Sequence, residues 1–169
     1  IVTAHTRDDQ AETVLMQLLR GAAFLTGIPP RRGQVVRPLL GVRRVALRAF
    51  LEELGQPFRD DATNRDPQRT RAWLRHEVLP LLLRRYPNGV DNVAGLAELQ
   101  RDARAALHAQ AERSFGGDGL DLKKLRRQPP AVQRAALAEL LRRAGVAPDR
   151  THLETLRERL DLEGPTRVS

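Results

Sequence analysis

Apolar residues fall at helical spacing through most of the chain. Ala11, Val14, Leu15, Leu18 and Leu19 form one stripe, and Gly21 after Arg20 supplies a C-terminal stop, so a helix is predicted here. Before it, Ile1-Val2-Thr3-Ala4 is short, apolar and rich in β-branched residues, as the buried end of a strand is. A strand, a polar turn and a helix make half of a βαβ unit, the arrangement that sets ligands at the carboxyl ends of parallel strands. No complete alternation follows. Residues 22–40 carry Gly27, Pro29, Pro30, Gly33 and Pro38 and are expected to loop, with one extended piece at Gln34-Val35-Val36. Helical spacing returns at Val42, Val45, Ala46, Ala49 and Phe50 and ends at Gly55.

A second loop, QPFRDDATNRDP, leads into a helix with a clear start. Asp66 is a good N-cap, and Pro67 takes the first helical position, where its missing N–H is harmless. Leu74, Val78 and Leu81 are its expected buried side, and Pro80 should kink or divide it. After Tyr86-Pro87-Asn88-Gly89 the character changes, which places a domain boundary there: residues 1–87 and 88–169. Residues 90–115 predict a long Ala- and Arg-rich helix with Val93, Leu96, Leu99, Ala103, Ala106 and Leu107 on its apolar side. Phe115-Gly116-Gly117-Asp118-Gly119 breaks it and reads as an interhelical loop. Val132, Ala136, Leu137, Leu140 and Leu141 mark another helix after Pro129-Pro130, and Thr151 with Glu154 has the pattern of a capping box opening a last one. The second half is expected to be a small all-helical domain.

Charge narrows the choice of partner. The net charge is +8, and all but two of the 29 basic residues, Lys123 and Lys124, are arginine, whose forked donors match phosphate oxygens. Nucleic acid is the leading anionic partner for such a chain. The low aromatic content, 4%, speaks against a surface built mainly for stacking bases. Without cysteine there is no disulfide, no iron–sulfur cluster held by this chain's thiolates and no cysteine nucleophile. With neither a long apolar run nor a leader-like start, a cytoplasmic protein is the expectation.

The densest chemistry sits in TAHTRDDQAET, residues 3–13. Asp8 and Glu12 are spaced i,i+4, and Asp9 can lie beside Glu12 and Thr13. Three acids in one helical turn repel, and a bound cation would offset this better than the helix dipole does. Magnesium or a substrate ammonium would serve, with His5 at the strand end within reach of the same ligand. The alternative is that Asp8 or Asp9 caps the helix while Glu12 is a solvated surface acid. The other histidines, His76, His108 and His152, show no ligand spacing, so a His/Asp metallohydrolase is disfavoured.

These residues resemble the tRNA(Ile)-lysidine synthetases of the PP-loop (N-type ATP pyrophosphatase) superfamily. TAHTRDDQAETVLMQLLRG is similar to the family's H-x-x-D-D-Q-A-E-T segment, RPLL at Arg37–Leu40 follows at the family's distance, and DATNRDPQRTRAWLRHEVLP at Asp61–Pro80 resembles its D-x-S-N…R-N-x-x-R-x-x-x-x-P segment. Thr63 stands where the family has serine, and Ala72 where it has asparagine. The superfamily's S-G-G-x-D-S phosphate loop, expected about a hundred residues earlier, is not in the chain, and SFGGDG at Ser114–Gly119 lacks the strand that should precede it. The resemblance therefore implies the C-terminal part of a Rossmann-like α/β ATPase domain followed by a helical tRNA-binding domain, mainly α as covered and inactive by itself.

The activity implied is adenylation, with ATP, of the wobble cytidine in the CAU anticodon of tRNA(Ile), followed by attack of free L-lysine to give lysidine. Lysine must be held as a cation yet react as an amine, so a carboxylate has to hold the charge and accept a proton. Asp9 is expected in that role, with Glu12 beside it and Arg75 stabilising developing charge. His5, Asp8 and Asp9 are the expected ATP contacts, Asp8 and Asp9 the candidate magnesium ligands. Arg20, Arg37, Asn64, Arg71 and Arg75 are the expected contacts to the tRNA, and a homodimer is a candidate assembly. A sulfur-inserting PP-loop enzyme and a non-catalytic helical RNA-binding module are the alternatives; the first generally needs cysteines that this chain lacks.

Overall fold

The computed structural model describes all residues except 23, 59–68, 117–118, 147, 149, 161–166 and 169. The chain divides into two compact units, Ile1–Arg101 and Asp102–Ser169.

In the first unit, α1 (Arg7–Leu19) is followed by a two-residue hairpin, β1 (Arg31–Arg32) and β2 (Val35–Val36), a 3-10 turn at Pro38–Gly41, and α2 (Arg44–Glu53). The expected strand at the start is reduced to one parallel bridge, Val2 to Val36, and Ile1 and Val2 are exposed rather than buried. A single helical rod then runs through α3 (Thr70–Trp73), a π-turn at Leu74–Val78 and α4 (Leu79–Arg85). The π-turn answers the expectation of a break at Pro80. Proline has no N–H for the ordinary i→i−4 bond, and the ladder widens just before it, with Leu79 N donating to Leu74 O. The expected cap at Asp66 and Pro67 lies outside the described residues. Leu81, expected to be buried, is 65% exposed. α5 (Gly89–Glu112) contributes Val90 and Ala94 to a core shared with Ala11 and Leu79.

One loop clamp in this unit explains a glycine. Gln10, buried on α1, donates to Ile28 O (3.1 Å) and accepts from Ile28 N (2.5 Å). Gly27 lies in the left-handed region at φ 58°, and a Cβ there would meet Gln10 Oε1 at 2.5 Å.

The second unit is mainly helical, with α6 (Leu122–Arg126), α7 (Pro130–Arg143) and α8 (Arg150–Arg159). It adds a small antiparallel sheet that the helical spacing does not announce. β3 (Phe115–Gly116) pairs β4 (Gly119–Asp121) with Phe115 opposite Leu120, and β4 pairs β5 (Arg167–Val168). Phe115, Gly116 and Gly119, expected in an interhelical loop, are thus paired as strand residues. Leu120, Leu125, Val132, Ala136 and Leu153 form the core. Thr151 lies inside α8, and Glu154 is bound by the side chains of Arg134 and Arg157.

Candidate functional site

The first turn of α1 is set by a reciprocal capping box. Asp9 N donates to Thr6 Oγ1 (3.4 Å), while Thr6 N and its hydroxyl donate to Asp9 Oδ2 (2.8 and 2.7 Å). Thr6, and neither aspartate, is the N-cap. The box fixes Asp9 Oδ2 and leaves Oδ1 to two guanidiniums, Arg44 Nη2 at 2.9 Å and Arg75 Nη2 at 3.1 Å. Burial pushes the Asp9 carboxyl up, but the Thr6 hydrogen bonds and the charges of Arg44 and Arg75 outweigh it and hold the group below its ordinary value.

Glu12 is not a solvated acid. Its side chain is 0% exposed, and a buried carboxylate is tolerated only when paired. Arg75 supplies the pair in a fork, Nε to Oε1 at 2.7 Å and Nη2 to Oε2 at 2.9 Å. Arg44 adds longer bonds to Oε1 at 3.4 and 3.5 Å, and Arg71 Nε stands 3.7 Å away. Arg71 also donates to Thr13 Oγ1 (3.1 Å). The Arg75 guanidinium pKa is raised, first by its hydrogen bond to Glu12. The i,i+4 spacing of Arg71 and Arg75 brings both to Glu12, and Arg75 lies within the π-turn ahead of Pro80.

Asp8 takes a different direction from its neighbours. Its Oδ2 accepts the backbone N–H of Arg44 (2.7 Å), with Arg43 Nε at 3.5 Å. α2 has no side-chain cap of its own, since its N-cap is Arg43, so Asp8 satisfies an orphan donor of that helix from another element. All three acids therefore converge on Arg44, through its backbone or its guanidinium. Sequence reasoning missed this residue. Its only signal is negative: a helix starting at Arg44 without a capping residue needs an acceptor from elsewhere.

His5 Nδ1 lies 2.9 Å from Thr3 Oγ1. Arg37 donates to the Pro29 carbonyl (2.9 Å), tying down its own loop. Arg20 is exposed at the C-cap of α1 and lines a cleft of about 520 Å³ with Met16, Arg69, Thr70, Arg71, Ala72 and Arg75. Asn64 lies outside the described residues. As magnesium ligands the aspartates fit poorly. Both Asp9 oxygens already accept N–H or O–H donors, and Asp8 Oδ2 is taken by Arg44.

In the second unit His108, Glu112 and Glu139 lie together, but Arg142 and Arg143 already neutralise the two carboxylates.

Residues 1–82 match the family model of the PP-loop domain, and residues 120–167 that of the TilS substrate binding domain. A tRNA(Ile)-lysidine synthase of Deinococcus radiodurans is 53% identical over 146 residues, 86% of this chain and 24% of the relative. The chain belongs to the tRNA(Ile)-lysidine synthase family. The synthase of Thermus thermophilus is 43% identical over 166 residues, 95% of the chain and 33% of the relative. That of Salinispora tropica is 42% identical over 160 residues, 88% and 48% respectively. The chain spans about a quarter to a half of the length of these curated relatives. The acid cluster and its three arginines all fall within the PP-loop match.

Proposed function

We propose that the whole protein containing this chain attaches free L-lysine to the wobble cytidine of tRNA(Ile) in an ATP-dependent reaction, and that Asp9, Glu12, Arg44 and Arg75 serve the lysine step. The observation that carries this reading is the arrangement of two carboxylates, Asp9 and the buried Glu12, interleaved with the Arg44 and Arg75 guanidiniums beside an arginine-lined cleft.

Such a group suits a substrate that brings both an amine cation and a negatively charged partner. Asp9, held below its ordinary pKa, is a weak base for an amine proton, and a substrate ammonium would take the place of a guanidinium donor at its Oδ1. We therefore assign Asp9 and Glu12 to orienting the amine, with the proton passing onward to solvent. Arg75 is rigid because Glu12 grips its fork, and a fixed guanidinium can stabilise charge developing on the transferred group without reorganising. ATP supplies the activation of the cytosine oxygen; its phosphate cradle would come from the superfamily's S-G-G-x-D-S loop. The poor fit for a metal leaves no step assigned to magnesium here.

The experiment is direct. Whole protein, ATP, radiolabelled lysine and a tRNA(Ile) transcript with a CAU anticodon should give label in the tRNA together with AMP and pyrophosphate. Label that stays free, or that enters without ATP, would overturn the reading.

A further inference from the structure

α2 carries Arg44 into the acid cluster, yet none of its residues is buried, and Val45 and Phe50 are exposed. A helix without a buried face is not placed by packing, so its polar ties decide where it starts. They gather at three consecutive residues. Val42 O accepts the Arg7 backbone N–H (2.8 Å), Arg44 N donates to Asp8 Oδ2 (2.7 Å), and Arg43 Nη1 donates to Asp91 Oδ2 (2.9 Å). The first two lead back to α1. The third reaches another helix, since Asp91 stands in the first turn of α5. Its other carboxylate oxygen accepts from Arg7 Nε (2.5 Å), and its backbone carbonyl from Arg7 Nη2 (3.2 Å).

One carboxylate thus holds the two arginines that stand immediately before the site residues: Arg7 ahead of Asp8 and Asp9, Arg43 ahead of Arg44. The placement of Arg44 matters because its guanidinium is the less constrained of the two at Asp9 Oδ1. Arg75 has the Glu12 fork at 2.7 and 2.9 Å, whereas Arg44 has one bond of 2.9 Å to Asp9 and longer ones of 3.4 and 3.5 Å to Glu12. The Arg44 side chain hangs from the residue that opens α2, so a shift of that helix start carries the guanidinium with it. Roughly an ångström of misplacement in a group that orients a substrate is enough to slow its reaction. The Asp91 side chain is 39% exposed, and an ion pair so open to water adds little stability; what it supplies is geometry. We propose that Asp91 is a positioning residue for the lysine step, acting through Arg43 to fix the start of α2 and with it the Arg44 guanidinium on Asp9 and Glu12. Asp91 lies between the two stretches that the family models match, residues 1–82 and 120–167. The proposal rests on the reading that Arg44 serves lysine transfer.

The test uses the whole protein with tRNA(Ile), ATP and labelled lysine. Asp91→Asn keeps the side-chain shape and removes the charge. Its kcat/KM for lysine should fall about tenfold, while tRNA-dependent ATP–pyrophosphate exchange stays within about threefold of wild type. Arg43→Gln cuts the same tie from the other side and should reproduce the pattern. A double-mutant cycle isolates the route: in an Arg44→Met background, Asp91→Asn should lower lysine transfer by less than about a further twofold. The full loss in that background, wild-type lysine transfer in Asp91→Asn or Arg43→Gln, or pyrophosphate exchange lost in equal measure would overturn the proposal. Amide hydrogen exchange reads the placement without any reaction. It should be faster in the first turn of α2 in Asp91→Asn, and an unchanged rate there would also overturn the proposal. Wild-type protein that transfers no lysine would refute the lysidine reading, and the hydrogen exchange would still decide whether Asp91 holds α2.

Discussion

Arg75 grips Glu12 through two parallel hydrogen bonds, 2.7 and 2.9 Å long, and the Glu12 carboxylate at the centre of the pair is 0% exposed. Removing one partner of a buried pair strands the other charge. Glu12→Gln is expected to destabilise the chain by about 3 kcal/mol, the lower end for breaking a buried pair, because Arg75 itself is 20% exposed and keeps Asp9. Urea titration of wild type and variant measures it. A loss under about 1 kcal/mol would mean that Glu12 is not held as a buried ion.

Arg44 separates two roles in one residue. Its backbone N–H satisfies Asp8, whereas its side chain serves Asp9 and Glu12. Arg44→Met should leave the start of α2 intact, while Asp8→Ala should remove its acceptor and cost about 1 kcal/mol. Hydrogen exchange reads the difference: faster exchange in the first turn of α2 in Asp8→Ala and little change in Arg44→Met. Equal exchange in the two variants would contradict the cap.

Stability of the second unit should fall in acid through Glu154. The Arg134 and Arg157 side chains hold its carboxyl down from 4.5 to about 2. A group depressed in the folded state contributes above its unfolded pKa, and the contribution is lost as pH falls from there toward the folded value. The stability gap between wild type and Glu154→Gln should therefore be full at pH 7 and shrink between about 4.5 and about 2. Urea titrations at several pH values check this; a gap that grows on acidification would refute it.

Two leucines at helical spacing should behave oppositely. Leu125 is 0% exposed within the second core, and Leu125→Ala should cost about 2–5 kcal/mol. Leu99, placed by its spacing on the apolar side of the long helix, is 69% exposed, so Leu99→Ala should change stability by less than about 0.5 kcal/mol. Comparable losses at the two positions would contradict the burial assigned here.

The contrast shows what spacing conveys and what it omits. Helix positions were legible because period 3.6 and the Gly and Pro stops are local: α1, α2, α5 and α7 lie where the pattern puts them. The face that ends up buried was less so, since Leu81, Leu99, Val45 and Phe50 are apolar and exposed. The short strands were hidden for another reason: pairs such as Phe115 with Leu120 need only two or three residues and leave no alternation to read. The acids of the site were visible as a cluster, and Arg71 with Arg75 as an i,i+4 pair. Their partnership was not, because Glu12 and Arg75 are 63 residues apart and only packing joins them. Arg44 carried no motif at all; the geometry alone assigns it.

The proposed role of the Asp9 carboxylate is in the lysine step and not in the activation of the RNA. Asp9→Asn keeps an acceptor for the Thr6 cap while removing the charge shared by Arg44 and Arg75. In the whole protein, with tRNA(Ile), the decisive measurement pairs tRNA-dependent ATP–pyrophosphate exchange with transfer of labelled lysine. The expected result is exchange within about threefold of wild type and lysine transfer reduced at least about a hundredfold, a loss of about 2.7 kcal/mol in transition-state stabilisation. Transfer that survives the substitution, or exchange that is lost in equal measure, would contradict it.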